Sequence, residues 1–246
     1  MAKQPVPPRS SLLRFEACAL THQGKVRPKH EDAFVLGSVA QPAQITAAVI
    51  TEKTMEADGS IAAVIDGMGG MGGGDVAATW LAQRWAKRRV SSKATLKRQL
   101  CHDHDELNDE ARGAPTPLMG AVATGIALLP EHALLFHVGD CRAYQIKGHT
   151  CTLLTTDDVE PSGSITQAFG GRGRPIEPHL LNLPYDSEST LLLMSDGAWD
   201  YLKPGIISLT LGARPKLREF VLTLAALILE GRAHDNLTIL ALRMVK

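Results

Sequence analysis

The sequence predicts an α+β fold, with antiparallel sheets packed face to face and helices outside, on three observations. Short apolar, β-branched runs follow one another as neighbours, at 15–20, 33–36, 47–50 and 61–65, and again from residue 120 onward. The helical stretches come as a pair set apart between these runs, and once more near the end. A parallel βαβ sheet would instead alternate single strands with single helices. No Pro/Ser-rich linker, repeat or low-complexity tract divides the 246 residues. One domain over 13–246 is therefore expected, behind a loose proline-bearing arm at 1–12.

Composition excludes several classes of function. Lys+Arg and Asp+Glu both number 26, so the formal net charge is zero, against an extended nucleic-acid footprint. Cys18, Cys101, Cys141 and Cys151 show no C-x-x-C spacing, so free thiols are expected and not a disulfide or zinc framework. The opening MAKQPVPPRSS lacks the apolar core of a signal peptide. The longest apolar stretch, 221–229, is too short to span a bilayer. The expectation is a soluble cytoplasmic protein that binds neither nucleic acid nor membrane.

Taken in order, the strand at 15–20 leads through a polar turn, 21–29, to His30-Glu31-Asp32 and the run at 33–36. A strand at 47–50 is joined by a polar hairpin-like tip, 52–60, to the central stretch IAAVIDGMGGMGGGD at 61–75. Its apolar run, 61–65, reads as a buried strand that ends on Asp66 and breaks into glycine. Asp75 then reads as the cap of a helix with Val76, Trp80, Leu81 and Trp85 at helical spacing. Gly67 to Gly72 matches G-x-G-x-x-G, but that dinucleotide motif expects an acid about 20 residues on. No Asp or Glu occurs between Asp75 and Asp103, and no Lys-Ser/Thr follows to make a P-loop.

A second amphipathic helix is read at 94–112, with Leu96, Leu100, Leu107 and Ala111 on one side and Asp103, His104, Asp105 and Glu106 on a solvated face. His102 and His104, two apart, do not share a helix face and make a poor metal pair. Strands are read at 122–128, 133–138, 143–146 and 151–154, then after an irregular region at 189–194. A helix at 216–230, with Leu217, Phe220, Val221, Leu224 and Ile228 inward, precedes a last strand at 237–242.

Three strand boundaries repeat one chemistry. Asp66-Gly67 and Asp196-Gly197 close strands, and Asp235-Asn236 opens one. Buried together without cations, such carboxylates would cost on the order of several kcal/mol each and rise in pKa. Oxygen-rich clusters of this kind hold hard divalent ions, magnesium or manganese in preference to zinc. The alternative is three separate Asp-Gly or Asp-Asn turns, each satisfying its own backbone.

The motifs in order resemble those of the metal-dependent Ser/Thr protein phosphatases of the PPM (2C-type) family, in its bacterial branch. Thr21-His22-Gln23-Gly24 through Arg27, with Glu31-Asp32-Ala33, resembles the opening motif. Asp66-Gly67-Met68-Gly69-Gly70 is similar to the bacterial central motif, and Gly139-Asp140-Cys141-Arg142-Ala143-Tyr144 to GDSRAY with Cys141 for serine. Leu154 to Asp157, Ile165 to Gly170, Ser195 to Asp200 and Asp235 to Thr238 complete a set that spans nearly the whole chain.

The resemblance implies a β-sandwich of two antiparallel sheets flanked by helices, and hydrolysis of phosphoserine or phosphothreonine in proteins. It implies two Mn2+ or Mg2+ ions, with Asp66 bridging both, the Gly67 carbonyl on one, and Asp196 and Asp235 on the other. Glu31 and Asp32 would act through metal-bound water, and Arg27 would grip the substrate phosphate. A hydroxide bridging the metals would attack phosphorus directly. The implied partner is a phosphoprotein made by an opposing Ser/Thr kinase, and compact members also occur in secretion-linked pairs, including type VI systems.

This chain departs from the pattern at His30, which replaces an Asn, at Asp158, where a His often stands, and at Met68, where eukaryotic members carry a His. His234 reads as a surface or hydrogen-bonding residue, and Trp80, Trp85 and Trp199 as core. The other class of reading is a catalytically weak relative that binds phosphoproteins as a regulatory module. Two further expectations concern the rim and the ion count. Residues 159–164 are too few to fold into a lid. A third ion should be weak or absent, because residues 115–119, before Gly120, contain no acid.

Overall fold

The computed structural model describes residues 12–45, 48–68, 72–112, 119–171, 174–212 and 215–245. The strands of the first half are β1 (Arg14–His22), β2 (Asp32–Leu36), β3 (Val39–Gln41), β4 (Val49–Glu56) and β5 (Ser60–Gly67). Two helices follow, α1 (Gly74–Trp85) and α2 (Lys93–Arg112). Then come β6 (Gly120–Leu128), β7 (His132–Val138), β8 (Arg142–Lys147), β9 (Thr150–Leu153), β10 (Phe169–Gly170), β11 (His179–Pro184) and β12 (Ser189–Met194). The chain continues through α3 (Asp196–Trp199), α4 (Pro204–Leu211) and α5 (Leu217–Glu230) into β13 (Leu237–Met244).

One sheet has the order β4–β1–β13–β12–β8–β9, and the other β11–β7–β6–β5–β2–β3, with β10 paired to β6. Every pairing between these strands is antiparallel. The sheets face each other across Phe34, Val64, Ile126, Leu135, Leu193 and Leu240. On the far side of the second sheet, Trp85 of α1 and Leu96 and Leu100 of α2 close over Phe136. The Trp85 and Phe136 rings meet edge to face at 5.2 Å, a preferred aromatic geometry. On the far side of the first sheet, Phe220 and Leu224 of α5 cover Tyr144 and Leu192. The result is four layers, α/β/β/α, the expected sandwich with helices outside. All nine residues of β6 are buried because both of its faces are covered.

Several elements differ from the sequence reading. β4 runs on to Glu56, so most of the predicted polar tip is strand and the turn is confined to residues 57–59. As an edge strand β4 tolerates Glu52, Lys53 and Glu56 with one side in water. Residue 47, where that strand was predicted to begin, lies outside the described residues. Asp75 does not cap α1. Gly73 stands at the cap with φ 83°, and the Asp75 carboxylate instead accepts a 2.6 Å bond from the Gln44 amide. Val76 faces solvent, and Ala77, Ala78, Leu81, Ala82 and Trp85 form the buried stripe.

The largest correction is on α2. Asp103 and His104 are buried, not solvated. Asp103 accepts bonds from Arg84 (2.7 Å), the Trp85 indole (2.8 Å) and both terminal nitrogens of Arg88. Opposite charge on α1 and the connection after it pulls this carboxylate inward, and a one-helix pattern cannot show that. β3, β10, β11, α3 and α4 have no counterpart in the sequence reading. Each is short or lies within a stretch that alternates poorly. Among the described residues no helix is long and apolar enough to cross a membrane.

Candidate metal centre

The acidic residues converge because strands of both sheets end at one edge of the sandwich. β2 and β5 pair so that Asp32 lies opposite Asp66. β12 runs out into Ser195 and Asp196, the latter opening α3, and Asp235 stands two residues before β13. The turn from β7 to β8, which passes from one sheet to the other, carries Asp140. Together they line a cleft of about 250 Å³ with Arg27, Glu31, Gly67, Met68, Val122, Ile165 and Asn236.

Two glycines let the backbone come this close. A Cβ on Gly67 would lie 2.3 Å from the Gly74 carbonyl oxygen and 2.7 Å from that of Glu31. A Cβ on Gly197 would lie 1.9 Å from the Asn236 carbonyl oxygen. Any side chain at either position would push apart the segments that carry the acids. Asn236 ties the loop between β1 and β2 to the same edge. Its amide donates to the carbonyls of Gln23 (2.7 Å) and Lys29 (3.0 Å), and its Oδ1 accepts from the Glu31 amide at 2.8 Å.

The electrostatics are one-sided. Five carboxylates, those of Glu31, Asp66, Asp140, Asp196 and Asp235, face one guanidinium among the described lining residues. Burial, then Asp32 and Asp196, pushes Asp66 well above the ordinary carboxylate range. Burial and then Asp196 raise Asp140 to about 7. Asp196 rises through burial and then Asp235, and Glu31 through burial and then Asp75. Arg27 donates to Asp235 at 2.6 Å, and this bond holds the guanidinium above its usual pKa.

Such an excess of carboxylate oxygen, with no thiolate or imidazole in the described lining, fits hard divalent cations. Among the described residues no three Asp, Glu, His or Cys side chains close on a single point. Carbonyl oxygen and water would therefore have to complete the shell of any hard ion held here, as they commonly do for magnesium.

Each residue read from the sequence has a definite place. Asp66, Gly67, Asp196, Asp235, Arg27 and Glu31 line the cleft. Asp32 does not. It is buried behind the cleft, where its Oδ2 accepts from Ser195 at 2.8 Å and Thr238 at 2.7 Å. Burial raises Asp32 too, against those two bonds. His30, also buried, is lowered to about 4 by desolvation and then by His22, which keeps its ring neutral. Asp157 is spent on Arg142 at 2.7 Å. Asp158 accepts from the Gly139 amide at 2.8 Å, from Gln167 at 2.9 Å and from His179 at 2.8 Å. Gly69 and Gly70 of the central motif lie outside the described residues.

Trp199, read as core, is only half-buried. It stacks 3.4 Å from Arg142 and donates its indole N–H to the Asp140 carbonyl at 2.9 Å. Met68 both lines the cleft and packs into the sandwich core. Asp140 and Asn236 are the site residues that the sequence reading missed. The signal for Asp140 was present, since Gly139-Asp140 is a fourth acid at a strand end. It bears on the ion count as well, because it supplies a carboxylate that does not come from the approach to Gly120.

Comparison with known proteins bears on the fold and the family. The family model for protein phosphatase 2C matches residues 50–234. A Streptococcus pyogenes protein assigned to the protein phosphatase 2C type is 24% identical over 71% of this chain and 81% of its own. Among solved structures, PppA, described as a key regulatory component of T6SS in Pseudomonas aeruginosa, matches with a TM-score of 0.78 at 22% identity. That match covers 96% of this chain and 100% of PppA. The Mycobacterium tuberculosis serine/threonine phosphatase PstP matches with a TM-score of 0.77 at 23% identity, over 95% and 100% of the two chains. A further structure, of the PstP catalytic domain in complex with two manganese ions, has a TM-score of 0.74 at 24% identity. With three quarters of its length under the family model and the acid-lined edge where both sheets end, the chain belongs to the protein phosphatase 2C family.

Proposed function

We propose that the protein hydrolyses phosphoserine and phosphothreonine in proteins with the help of a pair of manganese or magnesium ions. The convergence of Asp66, Asp140, Asp196 and Asp235 on one cleft carries this reading. Asp66, the Gly67 carbonyl, Asp196 and Asp235 would hold the ions. When bound, such a pair supplies an acidified water as nucleophile and offsets phosphoryl charge.

The chain's own residues do the rest. Arg27, whose side chain is 51% exposed, can exchange Asp235 for the substrate phosphate, and its fork suits two phosphate oxygens. The Asn236 clamp holds Arg27 and Glu31 on one rigid loop beside the acids. Met68 has no proton to give, so the departing serine or threonine oxygen takes its proton from water. Val159 pairs with Ile165 across the short connection, which supports a tight rim turn in place of a lid.

The substrates would be products of an opposing Ser/Thr kinase in the cytoplasm, and the likeness to PppA supports a secretion-linked setting. A phosphoprotein-binding module without catalysis would be expected to lack one or more of these carboxylates, and all are in place. Manganese-dependent phosphate release from a phosphothreonine peptide tests the proposal, alongside calorimetric titration of manganese into the metal-free protein. Asp66→Asn and Asp196→Asn should each lower turnover at least about 100-fold and weaken binding. Full turnover in excess chelator would refute it.

A further inference from the structure

Behind the cleft, four buried side chains form a line that the proposed reaction does not use directly. The His30 Nε2 lies 2.9 Å from the Thr21 hydroxyl, which lies 2.7 Å from the Thr238 hydroxyl, which donates to Asp32 Oδ2 at 2.7 Å. Thr21 and Thr238 face each other in the β1–β13 register, whereas Asp32 heads β2 of the other sheet, opposite Asp66. All four residues are at most 2% exposed, so bulk solvent does not compete for these bonds.

Proton counting gives the line a direction. A hydroxyl has one proton to give. Thr238 gives its proton to the Asp32 carboxylate, and so it accepts from Thr21. Thr21 has then used its own, and so it accepts from His30, whose Nε2 must carry hydrogen. The Ser195 hydroxyl donates to the same Asp32 oxygen, so Oδ2 takes two donors. Among the described residues the other ring nitrogen, His30 Nδ1, is buried with no partner in hydrogen-bond geometry, although the Asp32 backbone lies close enough to act on the ring.

We propose that His30 is a positioning residue for Asp32: its Nε2–H starts a one-way chain of donors, through Thr21 and Thr238, that fixes the Asp32 carboxylate as an acceptor beside Asp66. The chain also pins the two sheets to each other at the edge where the acids meet. A shorter amide at position 30 would not reach Thr21 from the same backbone, whereas Gln extends a donor as far as Nε2. This inference rests on the phosphatase reading for its kinetic consequence but not for its structural core.

The test has two arms. In the first, nitrogen-15 NMR of the imidazole rings reads the tautomer of His30 in the metal-free and the manganese-loaded protein. Hydrogen on Nε2, with a bare Nδ1, is expected in both. Hydrogen on Nδ1 alone would overturn the proposal whatever the activity. In the second arm, His30→Leu and Thr21→Val should each lower kcat about 10–100-fold with KM changed less than about twofold. Because both break one chain, the double variant should be no worse than the weaker single one. His30→Gln and Thr21→Ser should keep kcat within about threefold of the parent. Additive losses in the double variant, or a His30→Leu protein with parental kcat, would overturn it. If His30→Leu does not fold, the Thr21→Val and Thr21→Ser pair decides. A parent protein with no turnover would refute the proposed function, and the tautomer would still be read.

Discussion

Asn236→Ala isolates the device that holds the substrate side of the cleft together. The wild-type amide makes three bonds at 2.7–3.0 Å, and the residue is 5% exposed. At about 1 kcal/mol net for each bond, the loss is about 2–3 kcal/mol, since water can reach part of the vacated loop. For a chain of this length that corresponds to a fall in Tm of about 5–10 °C. The released loop carries Arg27 and Glu31, so KM for a phosphopeptide should rise more than kcat falls. Asn236→Asp keeps the acceptor for the Glu31 amide, loses both donors and adds a charge beside Asp235. It should be at least as destabilised without metal and should recover part of the loss in manganese. Thermal melts with and without manganese, plus Michaelis curves, read all of this. An Asn236→Ala protein within about 0.5 kcal/mol of the parent, with unchanged KM, would refute the clamp.

Three other outcomes are expected. Arg27→Ala removes charge-assisted phosphate contacts worth about 1.5–3 kcal/mol, so KM should rise at least tenfold. It also frees Asp235 from its ion pair, so manganese affinity measured by calorimetry should not fall. Asp103→Ala strands Arg88 and the Trp85 indole in a buried setting and should cost about 3–5 kcal/mol in urea unfolding, with the cleft untouched. Finally, manganese would have to displace protons from raised acids, Asp66 and Asp196, beside Asp140, which is itself raised to about 7. Protons and metal compete for the folded protein, so affinity should fall as pH drops from 8 to 5.5, steepening below 7 to as much as about tenfold per unit for each proton displaced. A pH-independent affinity would show that these carboxylates are not the ligands.

Long apolar runs were readable as strands because both of their faces are covered, as for β5 and β6. Asp66 and Asp196 stood out because each sits where such a run stops, and Asp235 because it comes just before one. What the sequence hid follows from pairwise physics. Asp103 looked like one acid on a polar helix face until α1 brought Arg84 and the connection after it Arg88 into reach. Asn236 passes for a turn residue in isolation, and its partners are roughly two hundred positions away. Asp140 figured in the sequence as part of the motif from Gly139 to Tyr144, and it is the crossing from one sheet to the other that brings it into the cleft. β3, β10 and α3 are two to four residues long, below the length at which periodicity can speak.

The place of β13 in its sheet has a consequence for how the protein is made. This strand, the last of the fold, lies between β1, the first, and β12. During synthesis β1 leaves the ribosome early and must wait, with one long side unpaired, for a strand encoded more than two hundred residues later. The acid at position 235 arrives with that strand, and the donor line from His30 to Asp32 closes only when Thr238 does. The acids therefore cannot be assembled until residue 238 has been made and β13 has joined the sheet. Such long-range closure also makes for slow folding. During that interval the side of β1 that later pairs with β13 is an open strand edge, able to pair with another chain.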